Sequence, residues 1–323
     1  MKKNLFKGVN RIITHLNCPD GMASAILLYD ALKIEPEFYV HGMDSFQHLK
    51  VTPKTLFCDI CPPAHLVDQF VATGGIVLDH HKAAQSSVVK FGERGVFADE
   101  KLAPGVSGAY LAFNEVWRPA MLQGISVRHS LAENFVRLVG IRDTWQRQSK
   151  DWEIACHQAA ALIFYPWKYW KSQVDRNGHD GDTQYLALTD EMVVGKLIHE
   201  NRLIKAQQCA EDALISDIHG LRVAVFNDSD KLTSDVAELL RQEGINIIVG
   251  FSYYKSNIDM KFPVLSYNLR SDGSFDVAQF STVFDGGGHT KAAGYTKTIC
   301  KNADPYSIIL NDLDTYIKHD IYP

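Results

Sequence analysis

The chain has 323 residues, 46% of them apolar and 22% charged, which is the composition of a globular protein and excludes a disordered one. Its 33 lysines and arginines against 38 aspartates and glutamates give a net charge of -5, which argues against a protein that covers long duplex nucleic acid. No segment is apolar for long enough to span a membrane, and Met1–Lys7 lacks the apolar part of a signal peptide, so we expect a cytoplasmic protein with no membrane partner.

The first half of the chain alternates short β-forming apolar segments with segments of helical spacing. The predicted strands cover 10–14, 37–42, 55–60 and 75–79. The predicted helices cover 22–32, 64–72, 105–117 and 127–142. Because strands and helices alternate, we expect a mainly parallel α/β sheet.

The second half begins with a polar, glycine-bearing segment at 171–189, which is typical of a loop or hinge. A long helix is predicted at 190–216, and a final amphipathic helix at 304–317. Between them lie three β-forming segments, at 221–226, 245–251 and 264–269. The length of the chain favours two domains. We therefore expect an α/β domain at 1–185, a connecting helix at 186–218 and a smaller α/β domain at 219–323.

Six scattered cysteines indicate reduced thiols rather than a disulfide framework. Cys58 and Cys61 form a CxxC motif, which could supply half of a zinc site or a redox dithiol. A structural zinc site needs two more ligands, and no second CxxC exists. Two prolines follow at once, whereas a redox dithiol usually opens a helix. We therefore favour two buried thiols that flank Asp59 at the end of a strand.

Polar residues follow several of the predicted strands and one helix. They are His15, Asn17, Asp20, Asp59, Asp79, His80, His81 and Asp143. In open parallel sheets the ligands bind at the carboxyl ends of the strands. Carboxylates with one or two imidazoles suit ions such as Mn²⁺ or Mg²⁺, and a carboxylate cluster repels itself unless cations lie within it. Two such ions can clamp a phosphoryl group and activate water.

The same segments resemble the motifs of the DHH phosphoesterases. The four motifs are THLNCPDGMASA (14–25), FCDI (57–60), VLDHHK (77–82) and IRDTW (141–145). Further along, the chain resembles the type-1 DHH-associated domain of oligoribonuclease-like and RecJ-like phosphodiesterases. The matching segments there are 223–240, 265–271, 276–280 and 285–295. The motifs occur in the family's order over nearly the whole chain.

The resemblance implies two Mn²⁺ ions, with Mg²⁺ as an alternative. One ion would be bound by His15 and Asp59. The other would be bound by Asp20, Asp59, His80 and Asp143, so that Asp59 bridges both. Asp79 would ligate the metal or orient His80 from behind. His81 would face the substrate phosphate as a hydrogen-bond donor or an acid, and the nucleophile would be a hydroxide between the ions.

Asn17 departs from the motif, because many family members have aspartate there and a shorter spacing from His15 to Asp20. Other branches of the family share this asparagine. Asn17 could bind metal through its carbonyl oxygen or could only shape the loop, and both possibilities remain open.

The resemblance also implies a substrate pocket in the second domain. Arg270 and Ser271 end a β segment, and an arginine can hold a phosphate through two hydrogen bonds. Gly286, Gly287 and Gly288 would let backbone amides approach an anion, with His289 beside them. The hinge at 171–189 would let the domains close over a short substrate.

An aromatic segment at 164–170, with Lys168 and Lys171, could form a surface on which bases stack. A packed aromatic cluster at a domain junction explains the same residues, and we favour the cluster.

The resulting hypothesis is a phosphodiesterase that hydrolyses short single-stranded oligonucleotides or dinucleotides to mononucleotides. A 3′-phosphoadenosine 5′-phosphate phosphatase or a cyclic-dinucleotide phosphodiesterase fits the same residues. A RecJ-like exonuclease is disfavoured because the chain has no room for additional nucleic-acid-binding domains. An inorganic pyrophosphatase is disfavoured because the second domain of those enzymes lacks the glycine loop that this chain has. From another class, a nucleotide-binding regulator with a degenerate metal site is favoured only by Asn17. A homodimer is compatible with the sequence.

Overall fold

The chain divides into two compact units, Met1–His199 and Glu200–Pro323, each built around its own sheet. The computed structural model describes residues 5–41, 43–99, 105–121, 127–177, 184–254, 263–300 and 302–318. The expectation of two α/β domains, the second one smaller, is confirmed. The boundary between the two units falls within a long helix, Thr189–Glu211, which overlaps the predicted connecting helix.

The first unit contains a five-stranded, fully parallel sheet in the order β2-β1-β3-β4-β5. Its strands are β1 Arg11–His15, β2 Pro36–Tyr39, β3 Thr55–Cys58, β4 Ile76–Asp79 and β5 Gly95–Phe97. The chain moves outward from β1 in both directions, so a crevice opens at the carboxyl ends of β1 and β3. This crevice is where a ligand is expected in such a sheet.

Helices cover both faces of this sheet, and one apolar cluster lies on each face. The first six are α1 Pro19–Leu32, α2 Asp44–Gln47, α3 Val67–Ala72, α4 Gln85–Val89, α5 Gly108–Ala112 and α6 Arg118–Met121. A π-helical turn, Phe113–Trp117, joins α5 to α6. Among the described residues this unit also has α7 Val127–Asp143, α8 Trp152–Phe164 and α9 Trp167–Asn177, and α10 Thr189–Glu211 continues into the second unit.

The second unit contains a mixed six-stranded sheet in the order β10-β11-β9-β8-β7-β6. Its strands are β6 Leu214–Ile218, β7 Leu221–Asn227, β8 Ile247–Tyr254, β9 Val264–Ser271, β10 Gly287–His289 and β11 Ala292–Thr298. Its own helices are α11 Thr233–Gln242, α12 Val277–Thr282 and α13 Pro305–Lys318. The residues of α12 and α13 pack on one face, and α11 with the end of α10 packs on the other.

The predicted loop at 171–189 is wrong in its first part, since Lys171–Asn177 belong to α9. The buried side chains of Trp170 and Val174 anchor that helix, and Lys171 pairs with Asp175 one turn later at 2.9 Å. Residues 184–187 form a 3₁₀ turn, and 178–183 lie outside the described residues.

The predicted helix at 190–216 is also too long, because its last residues form β6. His219 and Gly220 both have positive φ angles, 52° and 83°, which is the conformation of a tight hairpin turn. That turn pairs β6 with β7, and the pairing outweighs the helical spacing of the segment. Among the described residues, no helix is long and apolar enough to cross a membrane.

Candidate metal centre

The loop after β1 carries the first group of candidate ligands. His15 ends β1, Asn17 takes a left-handed conformation with φ 57°, and Cys18 directly precedes α1. Pro19 begins the helix, which places Asp20 in its first turn with no exposed surface. Gly21 is required here, since a Cβ atom on it would lie 2.2 Å from the His15 carbonyl oxygen.

Asp59 occupies the centre of the crevice, directly after β3. Its φ angle is 61°, a conformation that costs free energy in a non-glycine residue and is frequent at functional sites. Its amide donates a hydrogen bond to the Leu78 carbonyl on the neighbouring strand at 3.0 Å. Because only 1% of Asp59 is exposed, its carboxylate is directed into the protein and not into solvent.

The two histidines after β4 have different surroundings. His80 is buried, and its Nε2 atom lies 3.3 Å from Asp59 Oδ1, 3.5 Å from Asp20 Oδ2 and 3.5 Å from Asp143 Oδ2. The His81 side chain is 45% exposed, and its Nδ1 atom lies 2.8 Å from Asp79 Oδ1. That oxygen also accepts a hydrogen bond from the His81 amide at 2.9 Å. In this structure Asp79 therefore orients His81, whereas the sequence predicts that it supports His80.

The crevice thus brings five of the six predicted metal ligands together. Together with Cys18 and His81, their side-chain atoms form three groups, and within each group the atoms lie within 4.8 Å of one another. We define the first metal position by His15, Cys18 and Asp59, and the second by Asp20, His80 and Asp143. Asn17, the sixth, is exposed on the loop. Asp59 also forms a group with His80 and His81, so it lies between the two positions.

The electrostatics of the crevice favour a cation. Burial raises the pKa of Asp20 well above its usual value, and the carboxylates of Asp59 and Asp143 add to this increase. Burial would also raise the pKa of Asp59, but its interactions with His15 and His80 outweigh burial and lower it. Burial lowers the pKa of His80, yet the surrounding carboxylates raise it to about 10. Positive charge is therefore stabilised at the point where these carboxylates converge.

Unpaired buried atoms support a divalent metal more directly. Among the described residues, His15 Nδ1 and Asp59 Oδ2 are buried without a hydrogen-bond partner. They lie 3.6 Å apart, which is too far for a hydrogen bond. Two atoms that each bind one ion at about 2.1 Å are separated by about 3.0–3.6 Å. The residues therefore fit a metal, since an ion would satisfy two polar atoms that are otherwise costly to bury.

Sequence reasoning missed the support of Asp20. The amides of Gly108 and Ala109, at the start of α5, donate hydrogen bonds to Asp20 Oδ2 and Oδ1 at 2.5 and 2.7 Å. Sequence reasoning also missed Cys18, whose thiol belongs to the first metal position. Two features of the sequence could have pointed to these contacts. Ser107, directly before Gly108, caps α5 by accepting a hydrogen bond from the Tyr110 amide. Cys18 lies in the first motif, close to His15 and Asp20.

Neither cysteine of the CxxC motif belongs to a candidate metal group among the described residues. Cys58 and Cys61 are both buried free thiols. Burial raises the pKa of the Cys58 thiol well above its usual value and that of the Cys61 thiol to about 12. The interpretation of two buried thiols beside Asp59 is confirmed.

The second unit presents some of the predicted substrate residues on one face of its sheet. Ala292 pairs with both His289 and Arg270, so these three residues lie in one row across the strands. Arg270 donates to the Ser234 hydroxyl at 3.0 Å and lines a cavity of about 670 Å³ at the start of α11. Ser271 lies on the opposite face, fully buried, and its hydroxyl accepts from the Gly273 amide. The structure therefore does not bring Ser271 together with Arg270.

Most aromatic residues of the segment at 164–170 pack within the first unit, whereas Phe164 is 58% exposed. Trp167 contacts Tyr29 edge to face with ring centres 5.4 Å apart, and Tyr165 stacks on Tyr169 at 4.2 Å. Trp170 is 1% exposed, and its ring nitrogen donates to the Tyr165 carbonyl. This packing agrees with the aromatic cluster of the favoured interpretation, whereas its position at a domain junction stays a prediction.

Metal binding should stabilise the first unit. At a free Mn²⁺ concentration 100 times its dissociation constant, we expect the free energy of unfolding to rise by about 2.7 kcal/mol, because an unfolded chain has no assembled site. All five tryptophans lie in this unit, so urea unfolding followed by tryptophan fluorescence reports it selectively. Sodium chloride at the same ionic strength is the control. An unfolding curve that is the same with Mn²⁺ and with a chelator contradicts the site.

No family model and no curated protein sequence matches the chain. Among solved structures, it is similar to a pGpG-specific phosphodiesterase, PggH from Vibrio cholerae, with a TM-score of 0.57 and 12% identity over 96% of this chain and 99% of that one. It is also similar to an exopolyphosphatase-related protein from Bacteroides fragilis, with a TM-score of 0.45 and 13% identity over 98% of this chain and 95% of that one. The first similarity shows that the chain shares its fold with that structure.

Proposed function

We propose that the protein is a metal-dependent phosphodiesterase that hydrolyses dinucleotides or short oligonucleotides to mononucleotides. The observation that carries this proposal is the convergence of Asp20, Asp59, His80 and Asp143 around two adjacent metal positions. The fold supports the same class of substrate, since the similar structure from Vibrio cholerae is described as a pGpG-specific phosphodiesterase.

Two Mn²⁺ or Mg²⁺ ions at these positions would supply positive charge for the phosphate oxygens and an activated water. The side chains of the crevice provide the rest. Asp59 would help to hold both ions, because its carboxylate belongs to one group with His15 and Cys18 and to another with His80 and His81. We assign the contact with substrate to His81, because its ring is partly exposed while Asp79 pairs with Nδ1. The ring's Nε2 is then the atom that can donate a proton to the leaving oxygen.

The second unit has a candidate phosphate-binding residue of its own. Arg270 lies beside a serine hydroxyl in a cavity of about 670 Å³, and within the described part of the chain its guanidinium forms no hydrogen bond with a carboxylate. Burial lowers the pKa of Arg270 and Arg241 adds to the effect, whereas Asp228 in the same cavity acts in the opposite direction. A phosphate would offset the cost of burying that positive charge.

The glycine loop offers a direct test of this part. A Cβ atom on Gly286 would lie 2.4 Å from the Gly294 carbonyl oxygen, whereas one on Gly287 would meet nothing within 4 Å. We expect Gly287→Ala to change the free energy of unfolding by less than about 0.5 kcal/mol and to raise KM, because the new methyl group stands where a phosphate would approach. Gly286→Ala should destabilise the unit by about 1–3 kcal/mol. Equal KM values for Gly287→Ala and wild type would show that the loop is not part of the substrate site.

The experiment that tests the function is a substrate panel. Linear dinucleotides including pGpG, tri- to pentanucleotides, cyclic dinucleotides, 3′-phosphoadenosine 5′-phosphate and long single-stranded DNA are incubated with the protein and Mn²⁺, and the products are separated by ion exchange. We expect mononucleotides from the short linear substrates. Cleavage of the bisphosphate or a cyclic dinucleotide alone would replace the proposed substrate. If neither wild type nor Asp59→Ala hydrolyses any of these substrates, the proposed enzymatic function is wrong.

A further inference from the structure

One thiol in the metal crevice has no role in the proposed chemistry. Cys18 is half buried, precedes α1 directly and lies with His15 and Asp59 in the first metal position. Its Sγ atom and the ligand atoms of these two residues are all within 4.8 Å of one another. None of the other cysteines belongs to a candidate metal group among the described residues.

The first metal position is incomplete without this sulfur atom. Asp59 Oδ2 is an unpaired oxygen of a side chain that is only 1% exposed, and it faces His15 Nδ1, which is also unpaired. Asn17 is exposed, and its left-handed backbone turns the chain so that Cys18 follows at the start of α1. A metal at this position would otherwise have one nitrogen and one shared carboxylate from the described residues. Open metal sites in enzymes usually have three protein ligands and one free position.

We propose that Cys18 is the third protein ligand of the first metal position and binds the ion as a thiolate. On binding, the S–H bond breaks, its proton passes to solvent, and a sulfur electron pair forms the bond to the metal. A thiolate is a soft ligand, whereas the second metal position contains only carboxylates and imidazole. The two positions therefore differ in preference, and the first favours Co²⁺, Zn²⁺ or Cd²⁺ over Mg²⁺. This inference rests on the proposed function only in placing metals at these residues.

The test uses Co²⁺ as a spectroscopic probe of the full chain. Thiolate-bound Co²⁺ has a near-ultraviolet charge-transfer band that Co²⁺ bound by oxygen and nitrogen lacks. We expect this band in wild type and in Cys209→Ser, a control that removes a half-buried thiol of the second unit. The band should be lost in Cys18→Ser, and Cd²⁺ affinity should fall by at least about tenfold in that variant while Mn²⁺ affinity changes less.

The outcomes separate this inference from the proposed function. Co²⁺ bound by wild type without the band, or a band that persists in Cys18→Ser, overturns the thiolate ligand while leaving the phosphodiesterase intact. A band with the expected dependence on Cys18 supports the ligand even if the substrate panel shows no hydrolysis. Failure of wild type to bind Co²⁺ or Mn²⁺ at all overturns both.

Discussion

Replacing Asp59 by asparagine is expected to lower kcat/KM for a dinucleotide by at least about a thousandfold, which corresponds to about 4 kcal/mol of transition-state stabilisation. Asparagine keeps the shape of the side chain but removes its charge. Because Asp59 lies between the two metal positions, one substitution weakens the binding of both ions. The metal content after dialysis against Mn²⁺, measured by mass spectrometry, should fall from two ions per chain to one or none.

The matched control is Asp68→Asn, which removes the same charge from an exposed helix position in the same unit. Asp68 pairs with Lys90 at 3.0 Å on the surface and belongs to no candidate metal group among the described residues. We expect this variant to keep both ions and its activity. Retention of two ions and of full activity by Asp59→Asn would show that the metal centre lies elsewhere.

Much of the first unit could be predicted from sequence because its signals are local. Each strand is a short apolar segment, and the polar residue that follows it marks the edge of the sheet. In a parallel sheet these edges coincide, so His15, Asp59 and His80 could be placed together without any knowledge of the loops between them. The family resemblance supplied the pairing of these residues with Asp143, which arrives from a helix end.

The parts that were missed depend on contacts between distant residues or on side-chain orientation. Gly108 is 88 positions from Asp20, and no periodicity relates the two. Whether Asp79 contacts His80 or His81 depends on which of the two imidazole rings is oriented back along the strand. The last residues of the predicted helix at 190–216 formed β6 because pairing with β7 competes with helical spacing only in the folded sheet.

Gly108→Ala is expected to disrupt the metal centre from outside its ligands. A Cβ atom at this position would lie 2.5 Å from Asp59 Cβ and 2.9 Å from Asp20 Oδ2, which is closer than non-bonded atoms approach. Asp59 and Asp20 are both fully packed, so the backbone of α5 or the carboxylates must shift. We expect a loss of stability of about 1–3 kcal/mol, measured by urea unfolding. We also expect Mn²⁺ affinity to fall by about 10–100-fold, as when the groups that orient metal ligands are altered.

The control for Gly108→Ala is Gly92→Asn, a substitution at another glycine of the first unit. Gly92 has a φ angle of 58°, which asparagine tolerates, and a Cβ atom there would meet nothing within 4 Å. Titration calorimetry with Mn²⁺ should give wild-type affinity for this variant. If Gly108→Ala binds Mn²⁺ with wild-type affinity, then α5 does not position the ligands. A loss of stability together with that unchanged affinity would mean that the methyl group displaces α5 and leaves Asp20 and Asp59 in place. The expected result is loss of both, because the same glycine lets α5 approach Asp59 and lets its amide bind Asp20.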